Sequence, residues 1–171
     1  MKKIGAVLAT LLVPAFLMTG VVWNGAMAQD KMEKAAASKG KSDTDAVKAA
    51  LGEFNAALSA LDMNKMQATW AHMPYAVLIN PRDKTGAVGW DEITKRWEGV
   101  FDFWSELKVS TQGTPQVHVK GNTAWTHSMG LAEGRTKNGE ALKFVAIVTD
   151  VFEKQGGRWL VVSHHASRMP E

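Results

Sequence analysis

The closing segment of the chain carries the residues with the clearest chemical potential. After Gly156-Gly157, the residues Trp159, Val161, Ser163, His165 and Ser167 alternate with Leu160, Val162, His164 and Ala166. Side chains of a strand alternate between its faces, so the first set shares one face. A two-residue turn at the glycines predicts the pairs Gln155–Arg158, Phe152–Val161 and Asp150–Ser163, which sets Asp150 diagonally across from His165. A carboxylate that orients an imidazole on a pocket wall suits proton abstraction beside a carbonyl. His165 is therefore the candidate base and Asp150 its orienting partner. The alternative is an imidazole that only hydrogen-bonds a backbone carbonyl near the pocket mouth. By the same alternation His164 points away, to the surface or an interface.

Other residues suit ligand contact. An indole offers an apolar face and one N–H donor, which makes Trp70 and Trp97 candidate pocket walls, although helical spacing of Trp97 with Trp104 also fits a core role, as does Trp159. Tyr75, the one tyrosine, could polarise a carbonyl. Arg82, in a polar loop with Lys84, could clamp a carboxylate or simply be solvated. Ser163 shares the face of His165. His127 shares parity with Trp125 and Met129 and, like His118, could face a pocket or a partner subunit. The chain has no His-Glu-x-x-His spacing, glycine-rich phosphate loop, Gly-x-Ser-x-Gly elbow or cysteine nucleophile. No metal and no cofactor are expected.

These residues need elements to position them. Val47, Leu51, Phe54, Leu58 and Leu61 recur at threes and fours, predicting a helix capped by Ser42 or Asp43. Asp62 or Asn64 caps a short second helix through Trp70. Tyr75–Asn80 reads as a strand and Arg82–Gly89 as a loop. Asp91 opens a third helix with Ile93, Trp97, Phe101 and Trp104 on one side. Strands follow at Leu107–Thr111, Pro115–Lys120, Thr123–Ala132, Leu142–Lys154 and Arg158–Arg168, separated by glycine turns. Helices first and a meander of strands afterwards predict an α+β fold. Both faces of the last hairpin are apolar, so helices should cover one and a second subunit, or a long loop, the other.

Lys2 and Lys3, the apolar run Ile4–Met18 and the small-x-small site Ala26-Met27-Ala28 read as a signal peptide over residues 1–28. An uncleaved anchor is the alternative, but Pro14, Thr19 and Gly20 interrupt a run shorter than the ~20 residues of a membrane span. The expected location is the periplasm or the exterior, without membrane contact after cleavage. Residues 29–42 are small and charged and read as a flexible tether, partly helical at the alanines. Residues 43–171 suit one domain. Lysine and arginine number 20 against 17 acids, and two of the lysines belong to the leader, so the remaining chain is nearly neutral and lacks the basic stripe of a nucleic-acid binder. Cysteine is absent, so no disulfide supports the fold.

An ordered set of short segments resembles the nuclear-transport-factor-2-like superfamily in its SnoaL-like branch, related to ketosteroid isomerases and polyketide cyclases. The set comprises Ala57-Leu58-Ser59-Ala60-Leu61-Asp62, Met66-Gln67-Ala68-Thr69-Trp70, Val88-Gly89-Trp90-Asp91-Glu92-Ile93, Lys120-Gly121-Asn122-Thr123-Ala124-Trp125 and the closing Gly157–Ser167 stretch. The resemblance implies a cone, a strongly curved antiparallel sheet packed on three N-terminal helices, with a pocket at the wide end and dimerisation through the sheet. In such a cone His72, where the second helix hands over to a strand, lies near the pocket and could polarise a carbonyl or join His165 and Asp150. The family's isomerase site needs a tyrosine with an acid pair, which this chain does not match. The expectation is a domain that binds a small, partly apolar molecule, alternatively a cofactor-independent lyase, isomerase or cyclase with His165 as base.

Overall fold

The computed structural model describes residues 22–170, with the side chains of 22–27 and 36–41 excepted. The leader expected over residues 1–28 lies outside the described residues as far as position 21. The chain divides into two compact units, residues 1–37 and 38–171. Of the first unit, the described part is helical from Val22, and its exposed Lys34 and Asp30 pair at 3.0 Å. Helix α1 runs Val22–Ala60, so residues 29–42, read as a tether partly helical at the alanines, lie within it, and Ser42 and Asp43 lie inside the helix rather than at its start. Among the described residues no helix is long and apolar enough to cross a membrane.

In the second unit, α1 buries Val47, Leu51, Phe54 and Ala57 along one stripe and ends where Leu61 turns to φ 50°. Asp62 caps α2 (Met63–Thr69) by accepting the Lys65 N–H at 3.1 Å. Strands β1 (Val77–Ile79) and β2 (Ala87–Val88) form a short hairpin before α3 (Trp90–Phe103). Helix α3 carries Asp91 and Glu92 in its first turn, where the helix dipole favours negative charge, and buries Ile93 and Trp97.

Four long strands follow: β3 (Trp104–Lys120), β4 (Thr123–Thr136), β5 (Ala141–Gln155) and β6 (Arg158–Arg168). The two strands expected at 107–111 and 115–120 are one, β3, with a register irregularity between Gln112 and Gln116 where Gly113 takes φ 68°. The sheet is curved and unclosed, in the order β2-β1-β6-β5-β4-β3. It is mixed rather than wholly antiparallel, because β1 runs parallel to β6 with Leu78 beside His164. The fold is α+β, as the order of elements predicts. Gly156 and Gly157, at φ 57° and 82°, make the two-residue turn between β5 and β6 that only positive-φ residues close without strain.

Candidate functional site

One irregularity in β6 sets the floor of the site. Phe152 pairs with Val161, as the glycine turn dictates, but the partner of Val151 is Ser163. Val162 is therefore an extra residue, a β-bulge. Beyond it every side chain faces the side opposite to that of an unbroken strand. His164, not His165, thus lies on the inward face, directly opposite Asp150. His164 is 5% exposed and Asp150 fully buried, with Nδ1 2.6 Å from Oδ1. Thr126, opposite Asp150 on β4, donates its hydroxyl to Oδ2 at 3.3 Å. An ionised carboxylate only accepts hydrogen bonds. With the carboxylate as acceptor Nδ1 is the donor nitrogen, and Nε2 is the one with no protein partner among the described residues. The ring is held between Phe54 and Trp97, at centroid distances of 4.9 and 6.2 Å.

His164 borders a cavity of about 510 Å³. The cavity exists because the inward face of the sheet carries small side chains there: Ser128, Gly130 and Ala132 on β4, Ala146 on β5 and Ala166 on β6. Nearer the Gly156-Gly157 turn the same face bears Phe152, Trp159 and Val161 and is filled against Phe54, Met66 and Trp70. Apolar walls come from α1 and α3, Leu51, Leu58, Trp97 and Val100 among them. Within them Asn55 donates to the Thr111 hydroxyl at 3.1 Å. Such a mostly apolar hollow with a few convergent polar groups is the usual form of a small-molecule site.

The rim is charged. Asp83 accepts the Asn80 backbone N–H at 2.8 Å and pairs with Arg96 at 2.7 Å. Lys95 donates to Glu92 at 2.9 Å, which holds the Glu92 carboxyl below its usual range and raises the Lys95 ammonium above its own. Arg82 places its guanidinium 4.4 Å over the ring of Phe103.

The structure redistributes the candidates. His165 is exposed on the outer face, where Nε2 lies 3.1 Å from the Ser167 hydroxyl; the bulge removes it from Asp150. Ser163 turns outward with it, opposite Val151. His127 is exposed on the same outer face, 3.1 Å from the Thr149 hydroxyl, and His118 stacks there on Trp125. His72 is exposed, stacked on Trp90 at 3.9 Å with Nε2 3.0 Å from the Gln67 carbonyl. Tyr75 is 50% exposed and donates to Glu153 at 2.7 Å; neither borders the cavity. Trp70 is buried among Phe54, Trp90 and Trp97, a core residue rather than a wall. Trp97 and Arg82 do line the cavity. His72, His165 and Asp150 do not come together, and among the described residues no cluster of three or more metal-ligating side chains forms.

Sequence reasoning missed His164, Asn55, Thr111 and Ser128. Asn55 had a signal: it lies four residues after Leu51 and three before Leu58, a polar group inside an apolar helical stripe. For His164 there was none, because a bulge leaves no mark in the alternation itself.

The SnoaL-like domain family matches residues 47–171. A solved structure from Xanthomonas campestris, named as a candidate calcium/calmodulin-dependent protein kinase II association domain, is 26% identical with a TM-score of 0.64, over 73% of this chain and 86% of its own. A nuclear-transport-factor-2-like superfamily protein from Salmonella enterica is 17% identical with a TM-score of 0.67, over 80% and 94%. A ketosteroid isomerase-like protein from Erwinia carotovora is 19% identical with a TM-score of 0.64, over 75% and 98%. Among curated proteins none matches the sequence.

Proposed function

The chain belongs to the SnoaL-like domain family, and on that fold we propose that it binds a small, partly apolar molecule in the cavity and moves a proton on it through the Asp150–His164 pair. The observation that carries this reading is the 2.6 Å contact between Asp150 and His164 Nδ1 beneath a cavity that His164 borders. With Nδ1 engaged, Nε2 is available as a general base. It would take a proton from carbon beside a ligand carbonyl, and Asp150 would stabilise the imidazolium that forms. Return of the proton to another carbon makes the reaction an isomerisation; departure of a β-hydroxyl as water makes it a dehydration. Family membership supports either, since the fold hosts isomerases, dehydratases and cyclases, but does not choose between them.

The test is solvent deuterium exchange. Wild-type protein should catalyse exchange of the acidic C–H in a panel of aryl ketones and β-hydroxyketones, followed by proton NMR, and His164→Gln should lose it while still binding the same compounds. Exchange at the wild-type rate in His164→Gln would sink the base assignment.

Binding without turnover is the second reading, favoured by the apolar walls and by the scarcity of polar groups beside His164. Retained binding with no exchange in the wild type would select it. The basic start, apolar run and Ala-x-Ala site support a cleaved leader and a periplasmic or secreted protein. Met129 and Ile147, 42% and 55% exposed on the outer sheet face, support a homodimer through that face.

A further inference from the structure

We propose that the cavity takes its ligand as a monoanion, a small acid whose carboxylate docks on Arg82 at the rim while its apolar body reaches inward to His164. This rests on the cavity being the ligand site. The charges around the rim single out Arg82. Arg96 is committed to Asp83 at 2.7 Å and Lys95 to Glu92 at 2.9 Å. Arg82 has no carboxylate partner among the described residues, and its one recorded contact is the ring of Phe103 beneath it. A guanidinium over an aromatic ring can still present its N–H edge, the fork that meets a carboxylate with two parallel hydrogen bonds.

Two further observations set the class. On the same loop, two residues before Arg82, Asn80 borders the cavity, and its Nδ2 is buried without an acceptor among the described residues. Among the described residues the loop therefore carries two side-chain donors without acceptors, of which the exposed Arg82 guanidinium is the one open to a ligand oxygen. Inward of the rim the walls are mostly apolar, and their polar groups Asn55, Thr111, Ser128 and His164 include no lysine or arginine, so a second negative charge there would lose its hydration without a counter-ion. One rim cation without a carboxylate partner and a mostly apolar interior fit a singly charged head better than a phosphate dianion.

The experiment uses the full chain and three probes: Nile red as a neutral apolar dye, phenylbutyrate, and its neutral analogue phenylbutyramide. Displacement of Nile red fluorescence and calorimetry give the affinities. The acid should bind wild-type protein about tenfold more tightly than the amide, the scale of one charge-assisted contact. Arg82→Gln should abolish that preference and leave the amide affinity unchanged; Arg82→Lys, which keeps the charge without the fork, should retain part of it. Circular dichroism checks that the exposed substitutions leave the fold intact. Equal affinities in the wild type, or an acid preference that survives Arg82→Gln, overturn the anionic head while cavity binding stands. Nile red that binds but yields to neither compound overturns it as well. No Nile red binding at all removes the cavity as the ligand site, and this inference with it.

Discussion

His164 and Asp150 stand directly opposite each other on neighbouring strands because β6 spends one extra residue, Val162, between its partners for Phe152 and Val151. The contact is buried on both sides, so His164 Nδ1 has Asp150 in place of water and Asp150 has only His164 and the Thr126 hydroxyl among the described residues. Replacing one partner leaves the other stranded, which in buried pairs typically costs about 3–5 kcal/mol, whereas removing both can be nearly neutral. His164→Leu should therefore destabilise the protein by about 3 kcal/mol, and the double variant His164→Leu/Asp150→Leu should lose clearly less than the two single losses combined. Urea denaturation of the four proteins decides it. Strictly additive losses would mean that the pair carries no coupling energy.

The same bulge marks the limit of what the sequence makes legible. The part of α1 from residue 43 on and helix α3 follow from the periodicity of Val47, Leu51, Phe54, Ile93 and Trp97, since burial along a stripe leaves a pattern of threes and fours, and α2 follows from its Asp62 cap. The β5–β6 turn follows from two adjacent glycines. The pairing of Asp150 does not. Counting from the turn predicts Ser163 as its partner, and each step of that count is sound as far as Phe152–Val161. An extra residue on one strand changes every face beyond it without altering composition or alternation. Counting along the strands therefore sets Asp150 beside His165, where the structure pairs it with the adjacent His164. Tyr75, His72 and Trp70 fail for a different reason: their types suit a pocket, but only the tertiary path of the chain decides which side of the core they reach.

Two glycines should respond to alanine in opposite directions. Gly134 pairs with Leu107, and a Cβ there would fall 2.1 Å from the Glu106 carbonyl oxygen, which belongs to backbone and cannot swing aside. Gly134→Ala should force β3 and β4 apart and cost roughly 2 kcal/mol or more. Gly52 sits exposed in α1 with nothing within 4 Å of its would-be Cβ. Gly52→Ala should stabilise by about 0.5–1 kcal/mol through helix propensity alone. Thermal melts of both variants test the pair, and a Gly134→Ala protein that melts with the wild type would contradict the close approach of β3 and β4.

Tyr75 offers a clean spectroscopic check because it is the only tyrosine. Its hydroxyl donates to Glu153, and that hydrogen bond, with the nearby negative charge, raises the phenol above its ordinary value of 10.0. A raised value means the contact favours the folded state below the unfolded phenol's titration and is lost as pH climbs through the folded one. The tyrosinate absorbance of native protein should therefore develop at higher pH than that of urea-unfolded protein. Glu153→Gln should bring the native titration down toward the ordinary value. Coincident native and unfolded curves would dismiss the contact in solution.

The cavity itself can be put at stake by filling it. Ala132 lies on the inward face of β4 between Val109 and Phe144, both cavity-lining, and is only partly buried because the space before it is empty. Leucine at this position would bury additional methylenes worth about 0.8 kcal/mol each where they fit without strain. A void kept open solely by imperfect packing would then make Ala132→Leu a gain with no functional cost. A void kept open for a ligand predicts a trade: a melting temperature equal to or above the wild type, with Nile red binding and any catalysed exchange falling about tenfold or more. A lowered melting temperature would show that the wall has no room for the added side chain. Unchanged binding beside an unchanged or raised melting temperature would place the ligand elsewhere. The small residues of the sheet, Gly130, Ala132, Ala146 and Ala166, give up core packing that larger side chains would supply, and a bound molecule resting on His164 is what that sacrifice would serve.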